Sequence, residues 1–298
     1  MAFETLILQI LSMGSILIFG ILGEILSERS GVVNLGIEGS IALGAASAYA
    51  ATIYFDNCLI GLFLGTLSGV LPAFLLILLS VYLPLNMIVV GITSSSIFSA
   101  VSIVIGNLVP RLPQKRLILS SEEFTIYLIF MISLMSSALL YIVMRQRIGL
   151  IIRSVGEDPY TAYSMGINIW RIRTLSTITS GFLGGLVGSL MILMPMVSVI
   201  WREGLTSGWG YILVAITPAS LWNPLIGALL GIFMGMISFL SIAIQTSGLI
   251  PLSTDLASLL PYLLAVFLYV LIRGLFLRKL IAAPRALAKE FVLEERYE

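Results

Sequence analysis

Residues 59–82 read Leu59-Ile-Gly-Leu-Phe-Leu-Gly-Thr-Leu-Ser-Gly-Val-Leu-Pro-Ala-Phe-Leu-Leu-Ile-Leu-Leu-Ser-Val-Tyr82, without one charged side chain. As a helix this stretch would rise about 36 Å, enough to cross a hydrocarbon layer about 30 Å thick. Working outward, the uncharged run extends from 57 to 110, and a second runs from 204 to 254, so each has room for about two spans. The first is punctuated by Pro84 and Asn86, the second by Pro218, Asn223 and Pro224, residues that open turns. Apolar segments at 5–26, 37–54, 59–82, 85–109, 124–144, 173–197, 207–221, 224–244 and 256–272 complete the pattern. The expectation is an all-α polytopic membrane protein of about nine transmembrane helices. Its membrane domain is 1–272, including a connection at 145–173, and a cytoplasmic tail follows at 273–298. Met1 to Ile25 reads as a first span, since neither a basic leader region nor an A-x-A site is present.

Composition agrees and excludes much else. Of 298 residues, 59% are apolar and 10% charged, and the mean hydropathy is +1.09. Ordinary soluble domains carry about a quarter charged residues, so a soluble globule, a disordered chain and a nucleic-acid binder are all excluded. The 16 basic and 15 acidic residues nearly cancel, which leaves no field to select a polyanion. There is no histidine, and Cys58 is the one cysteine. That inventory rules out a disulfide framework, a Cys/His zinc site and a Ser-His-Asp triad. None of Lys115, Lys279 and Lys289 follows a glycine, so no phosphate loop of the GxxxxGK[ST] type exists. No catalytic residue and no cofactor bound by this chain is expected.

Basic residues set the orientation. Arg145, Arg147, Arg153, Arg171 and Arg173 crowd one connection, and Arg273, Arg278, Lys279, Arg285, Lys289 and Arg296 follow the last span. Four spans separate these clusters, so both can face the cytoplasm, and counting back over five spans puts the N-terminus outside. Arg111, Lys115 and Arg116 then lie outside, against the trend, but the larger clusters outweigh them. Gly61, Gly65 and Gly69 in the third span are echoed by Gly227, Gly231 and Gly235 in the eighth. A duplication of spans 1–4 and 6–9 would be an inverted repeat, a transporter device. Ordinary glycine packing faces account for the spacing equally well.

Four segments stand out as chemistry. Between Gly23 and Gly39 the chain places Glu24, Glu28, Arg29 and Glu38 in or beside apolar helices and breaks them at Gly31, Gly36 and Gly39. Ionisable groups in hydrocarbon usually face a cavity or a partner, which suggests a discontinuous helix pair lining a solute path. The competing reading is a solvated turn capped by Asn34 and pinned by a Glu28–Arg29 surface pair. In the 145–173 loop, Gly156-Glu-Asp-Pro-Tyr-Thr-Ala-Tyr-Ser-Met-Gly166 reads as a short helix, with Asp158 as N-cap, Pro159 at the first position and Gly166 as stop. Such a helix suits a docking knob with Tyr160, Ala162, Tyr163 and Met165 as contacts, or an interfacial loop held to headgroups by arginine. Thr206-Ser-Gly-Trp-Gly-Tyr211 leads into a short span that Pro218 interrupts and Trp222-Asn-Pro224 closes; Gly208, Gly210 and Pro218 suggest a bent or partly unwound segment, and Trp201, Trp209, Tyr211 and Trp222 equally read as interfacial anchors. Asn86 and Ser94-Ser-Ser96 add hydrogen-bonding groups to the fourth span, and the tail from Pro284 to Glu290 reads as a solvated, partly helical extension.

Taken in order, these motifs resemble the inner-membrane permeases of nucleoside and simple-sugar ABC importers, grouped with the ribose and branched-chain amino-acid importer permeases. The resemblance rests on Gly23 to Gly39, on Asn86 with Gly91, and on Gly149 to Pro159 with Ala162 and Met165-Gly-Ile167. It continues through Thr206 to Tyr211 with Trp222-Asn-Pro224, and ends on Ala283-Pro-Arg-Ala-Leu-Ala-Lys289, which is similar to the tail of the shorter of two paired permeases.

It implies a multi-pass cell-membrane subunit that pairs with a second permease, an ABC ATPase carrying ATP and Mg, and an extracellular or periplasmic solute-binding lipoprotein. It implies too that Glu157, Asp158 and Pro159 begin the helix, through Tyr160, Ala162, Tyr163, Met165 and Gly166, that docks into the ATPase. On that reading the solute path is lined by Glu24, Asn34, Glu38, Asn86 and Ser95, and the cargo is a nucleoside or a related sugar or nucleobase. The chain departs from the family pattern at Asp158, where asparagine is usual, at Trp209, where arginine is common, at Ser220-Leu221 in place of Gly-Arg, and at Ser95, often asparagine. The rival reading is an ion-coupled secondary carrier, for which Glu24 and Glu38 would have to couple the ion.

Overall fold

The computed structural model describes residues 2–110, 115–197, 200–206, 208–247, 259–275 and 283–292. Among them are twelve α-helices and no strand: α1 (Ala2–Arg29), α2 (Ile37–Phe55), α3 (Cys58–Ser68), α4 (Val70–Ile77), α5 (Met87–Leu108), α6 (Glu122–Arg145), α7 (Arg147–Glu157), α8 (Pro159–Ser164), α9 (Ile169–Leu193), α10 (Trp209–Ile216), α11 (Pro224–Ser247) and α12 (Leu260–Leu275). Among the described residues six stretches are long and apolar enough to cross a membrane: Glu4–Arg29, Cys58–Tyr82, Met87–Leu108, Glu122–Arg145, Ile169–Leu193 and Pro224–Ser241. The Cys58–Tyr82 span joins α3, α4 and a π-helical turn, Leu78–Tyr82. The expected turns fall where Pro84, Asn86, Asn223 and Pro224 stand, and Asn86 caps α5 by accepting from the Ile88 and Val89 amides at 3.1 and 3.2 Å.

The expected seventh span has a different form. The apolar helix here is only Trp209–Ser220, made of α10 and a 3-10 turn, Pro218–Ser220. Its twelve residues rise about 18 Å, roughly half the hydrocarbon thickness. Ser207, residues 248–258, Arg111, Arg278, Lys279 and Arg296 belong to expectations that lie outside the described residues.

Helices α1, α2 and α9 form the centre. α1 packs on α11, α9 and α6, while α2 packs on α9, α3 and α5. Glycines permit the closest approaches. A Cβ added at Gly44 would lie 2.6 Å from the Gly185 carbonyl oxygen, and one at Gly185 would lie 2.9 Å from the Gly69 Cα. Backbone therefore meets backbone across α2, α9 and the α3–α4 junction, the small-residue contact that holds membrane helices together where lipid offers no hydrophobic drive. α5 and α6 sit at the margin with apolar outer faces, among them Val89, Val104, Met135 and Leu139.

Two ends of the bundle are distinct. At one end Lys115 pairs with Asp56 at 2.6 Å, Arg116 with Glu122 at 3.1 Å, and Asn107 donates to Glu203 at 2.8 Å. Lys115 and Arg116, the residues that run against the charge trend, thus each carry an acidic partner. Trp201, expected as an interfacial anchor, is buried here and stacks on Tyr49 at 6.2 Å.

At the other end the tail corrects its expectation. Residues 283–292 form turns, not a helix, and pack against the protein with Pro284, Ala286 and Phe291 buried. The Ala286 amide donates to the Gly156 carbonyl at 2.9 Å and the Ala288 amide to that of Gly31 at 3.1 Å.

Candidate functional site

The break between α1 and α2 builds the first polar cluster. Gly23 lets α1 approach α9 so closely that a Cβ there would sit 3.1 Å from the Ser180 Cα. The Ser180 hydroxyl donates to Glu24 Oε1 at 2.6 Å and accepts from Asn34 Nδ2 at 2.9 Å. One turn along, the Ser27 hydroxyl donates to the Val32 carbonyl at 2.9 Å and lies 3.3 Å from Thr177 Oγ1. All five side chains are buried. Glu24 Oε2 and Asn34 Oδ1 have no hydrogen-bond partner among the described residues. Asn34 does not cap α2: Gly36 occupies that place, and the amide side chain reaches across to α9 instead. The Ser30–Gly31 turn ends α1, with Gly31 at φ +93, a conformation glycine adopts without strain.

The second cluster surrounds Glu38, in the first turn of α2. Its Oε1 accepts from Thr206 Oγ1 at 2.6 Å and from the Gly208 amide at 3.0 Å, and its Oε2 accepts from the Gly210 amide at 2.7 Å. This carboxylate satisfies amides that the start of α10 leaves free and sits at the positive end of that helix. Gly210 is required for the approach, because a Cβ there would fall 2.6 Å from the Glu38 backbone. The next residue, Tyr211, is half-exposed, and its hydroxyl meets Ser95 Oγ at 3.1 Å. The geometry thus links α2, α5 and the short α10.

The third cluster closes the end of α1. Trp222 is buried and donates its indole N–H to Glu28 Oε2 at 2.6 Å. Arg29 donates to the Leu221 carbonyl at 3.2 Å, and its guanidinium lies 5.6 Å from the centre of the Trp222 ring. Leu221 and Trp222 both take left-handed backbone, φ 57 and 51, costing on the order of 1 kcal/mol each, which these contacts offset. The surface pair expected between Glu28 and Arg29, and the anchor role expected of Trp222, give way to this buried arrangement.

The 145–173 connection carries more helix than expected. α7 precedes α8 and presents Gly149, Ile152, Val155 and Gly156 inward, an amphipathic period of three to four residues. α8 has the anticipated signals: Asp158 Oδ1 accepts from the Thr161 amide at 3.0 Å, Pro159 is the first helical residue, and Gly166 follows at φ +85. Of its candidate contacts, Ala162 and Pro159 are buried and Tyr160 is half-buried. Tyr163 and Met165 are 42% and 76% exposed. Glu157 and Asp158 are exposed beside them.

The structure therefore joins Glu24 to Asn34 through Ser180 and Ser95 to the Glu38 cluster through Tyr211. Asn86 stays apart as the cap of α5, about 13 Å along the helix from Ser95. Ser180, Thr177 and Trp222 carry bonds that the sequence reading did not assign. The signal available for the first two was their place on the small, polar face of α9 with Ser176, Gly181 and Gly184. Among the described residues no group of three or more His, Cys, Asp or Glu side chains could hold a metal ion.

Comparison with known proteins sets this geometry in context. Residues 6–269 match the family described as the permease component of the branched-chain amino acid transport system. A Haloferax volcanii protein, provisionally named a glucose ABC transporter permease, is 29% identical over 93% of this chain and 94% of its own. A guanosine ABC transporter permease of Bacillus subtilis is 27% identical over 84% and 86%, and a nucleoside ABC transporter permease of Lactococcus lactis subsp. cremoris is 27% identical over 91% and 91%. No solved structure matches the chain.

Proposed function

Because the chain belongs to the family of branched-chain amino acid transport permease components, we propose that it is one of two paired permeases of an ABC importer, moving a nucleoside or a related small polar solute. A separate ATPase subunit binds ATP with Mg and hydrolyses the ATP, and an extracellular or periplasmic solute-binding protein delivers the cargo. The permease domain is 1–272 and the cytoplasmic tail 273–298. The observation that carries the reading is α8, a capped helix too short to cross the bilayer, which leaves Tyr163 and Met165 exposed to a partner. The names of the guanosine and nucleoside relatives favour a nucleoside cargo, and that of the Haloferax relative favours a sugar.

Nine crossings, with the N-terminus outside and the tail inside, fit the contacts. Gly31, Gly156, Ala286 and Ala288 meet at one end, so the loop holding α8 and the tail share a side. Glu203 is level with Asn107 at the opposite end, while Gly208 and Gly210 reach Glu38 near the inner end of α2. The seventh crossing then consists of the irregular chain at 200–206 and of α10 below it, a discontinuous helix of the kind that lines transporter paths. An inverted repeat has support as well. The third span packs on the sixth (α9), and the eighth (α11) packs on the first (α1), the reciprocal pairing a two-fold relation requires. Glu24, Asn34, Glu38, Asn86 and Ser95 are assigned to the lining of the path or to the joints that shape it.

Co-purification of the chain with its partner subunits tests the proposal. A Glu157→Arg, Met165→Asp double variant is expected to lose the ATPase and keep the second permease. Retention of the ATPase by that variant, or its absence from the wild-type complex, overturns the docking role of α8.

A further inference from the structure

The tail is held at four points by four different parts of the protein. Besides the Ala286 and Ala288 amides on Gly156 and Gly31, the Lys289 carbonyl accepts from Arg173 Nη1 at 3.2 Å and the Val292 carbonyl from the Tyr160 hydroxyl at 3.1 Å. Phe291 is buried in an aromatic box, with ring centres 5.0 Å from Tyr160, 5.9 Å from Tyr163 and 5.4 Å from Trp170. Val155, Ala162 and Ile169 complete its surroundings. One end of the segment is thus set into α8 and the opening of α9. The other reaches Gly31, three residues before Asn34 and directly after the Glu28–Trp222 cluster. Arg173, itself buried, lies between: a Cβ on Gly31 would be 3.1 Å from its Nη2.

We infer that residues 283–292 are a strap that ties the ATPase-docking helix α8 to the break between α1 and α2, with Phe291 as its anchor. This rests on the docking role of α8 argued above. A displacement of α8 moves Tyr160 and Tyr163, which grip Phe291. The strap is short and pinned by backbone hydrogen bonds on both sides of Arg173 as well as by Phe291, so the motion passes to Gly31 through the Ala288 bond. The break holding Asn34 and Glu24 is then pulled together with α8. Gly156, at the end of α7, keeps the strap on course. Phe291 is a positioning residue, touching neither ATPase nor cargo.

Hydrogen exchange on the complete importer, reconstituted in lipid discs with and without magnesium, ATP and vanadate, tests the strap without knowledge of the cargo. In the wild type, trapping is expected to change exchange at both 159–165 and 29–36 by about tenfold. With Phe291→Ala the ATPase stays bound and 159–165 still responds, while the response at 29–36 is lost. An unchanged response at 29–36 overturns the strap. Release of the ATPase by Phe291→Ala would make the residue part of the docking face, which also overturns it. If Phe291→Ala does not assemble, a chain ending at Ala282 takes its place, and a preserved response at 29–36 is equally decisive. Silence at 159–165 in the wild type together with ATPase binding to a Met165→Asp control removes the docking reading, and the strap with it. That result is distinct from a responsive α8 with an indifferent break.

Discussion

The indole N–H of Trp222 is bonded to the buried carboxylate of Glu28 at 2.6 Å across 194 residues of sequence. The pair joins the end of α1 to the turn between α10 and α11, where two residues in a row take left-handed backbone. Replacing Trp222 with Phe keeps an aromatic ring but strips a buried oxygen of its donor. The expected loss is about 1–3 kcal/mol, read as a lower midpoint of thermal unfolding in detergent. Glu28→Gln retains an accepting oxygen and should lose less. A Trp222→Phe protein as stable as wild type would mean that the bond contributes nothing.

Glu38 makes a parallel prediction for α10. Its two oxygens serve three donors at 2.6 to 3.0 Å, so Glu38→Ala frees the Gly208 and Gly210 amides at once. Loss of a charged cap at a helix start costs on the order of 2 kcal/mol, and amide exchange at 208–212 should accelerate accordingly. Glu38→Asp is one methylene shorter and should recover only part of the protection. Exchange at 208–212 that is indifferent to both variants would deny Glu38 the capping role.

Two glycines separate space from conformation. Gly210→Ala places a methyl 2.6 Å from the Glu38 backbone, so α10 must move from α2, at a cost of about 1–3 kcal/mol and of transport. Gly166→Ala meets nothing within 4 Å but keeps an unfavourable φ of +85, worth about 1 kcal/mol. Transport by Gly210→Ala equal to that by the wild type would show that the α2–α10 contact is not needed at its observed distance.

Asp158 tests how far a single cap governs docking. Asp158→Ala removes the acceptor for the Thr161 amide and should weaken α8 by about 1 kcal/mol, lowering ATPase recovery severalfold. Asp158→Asn preserves the acceptor and should recover wild-type amounts. Equal recovery from all three proteins would mean that the ATPase imposes the helix as it binds.

Much of the architecture was legible before the structure. Uncharged stretches long enough to span, the Pro84–Asn86 and Asn223–Pro224 turns and the capping signals at Asp158, Pro159 and Gly166 are local matters, and local chemistry decides them. Partners are not local. A carboxylate in an apolar helix demands donors, but nothing in Glu24, Glu28 or Glu38 says that they come from Ser180, Trp222 and the turn at Thr206–Gly210. The tail shows the same limit from the other side. Its alanines, Leu287 and Lys289 favour helix, yet the amides of Ala286 and Ala288 bond to carbonyls of distant glycines, and burial of Phe291 outweighs propensity. α7 could have been read from its inward period at Gly149, Ile152 and Val155, but its three charged residues resemble a solvated connection.

Where Gly44, Gly69 and Gly185 bring three backbones together, there are no rotamers to exchange and no gap to close. Such a joint cannot shear by small steps, because close-packed matter is bistable and not continuously deformable. It serves as a fulcrum. α2, α9 and the α3–α4 span must turn as one lever about it. The compliance of the molecule is left to the parts that lack this welding: the unwound residues between Gly31 and Gly36, the irregular residues 200–206, and the loosely covered α5 and α6.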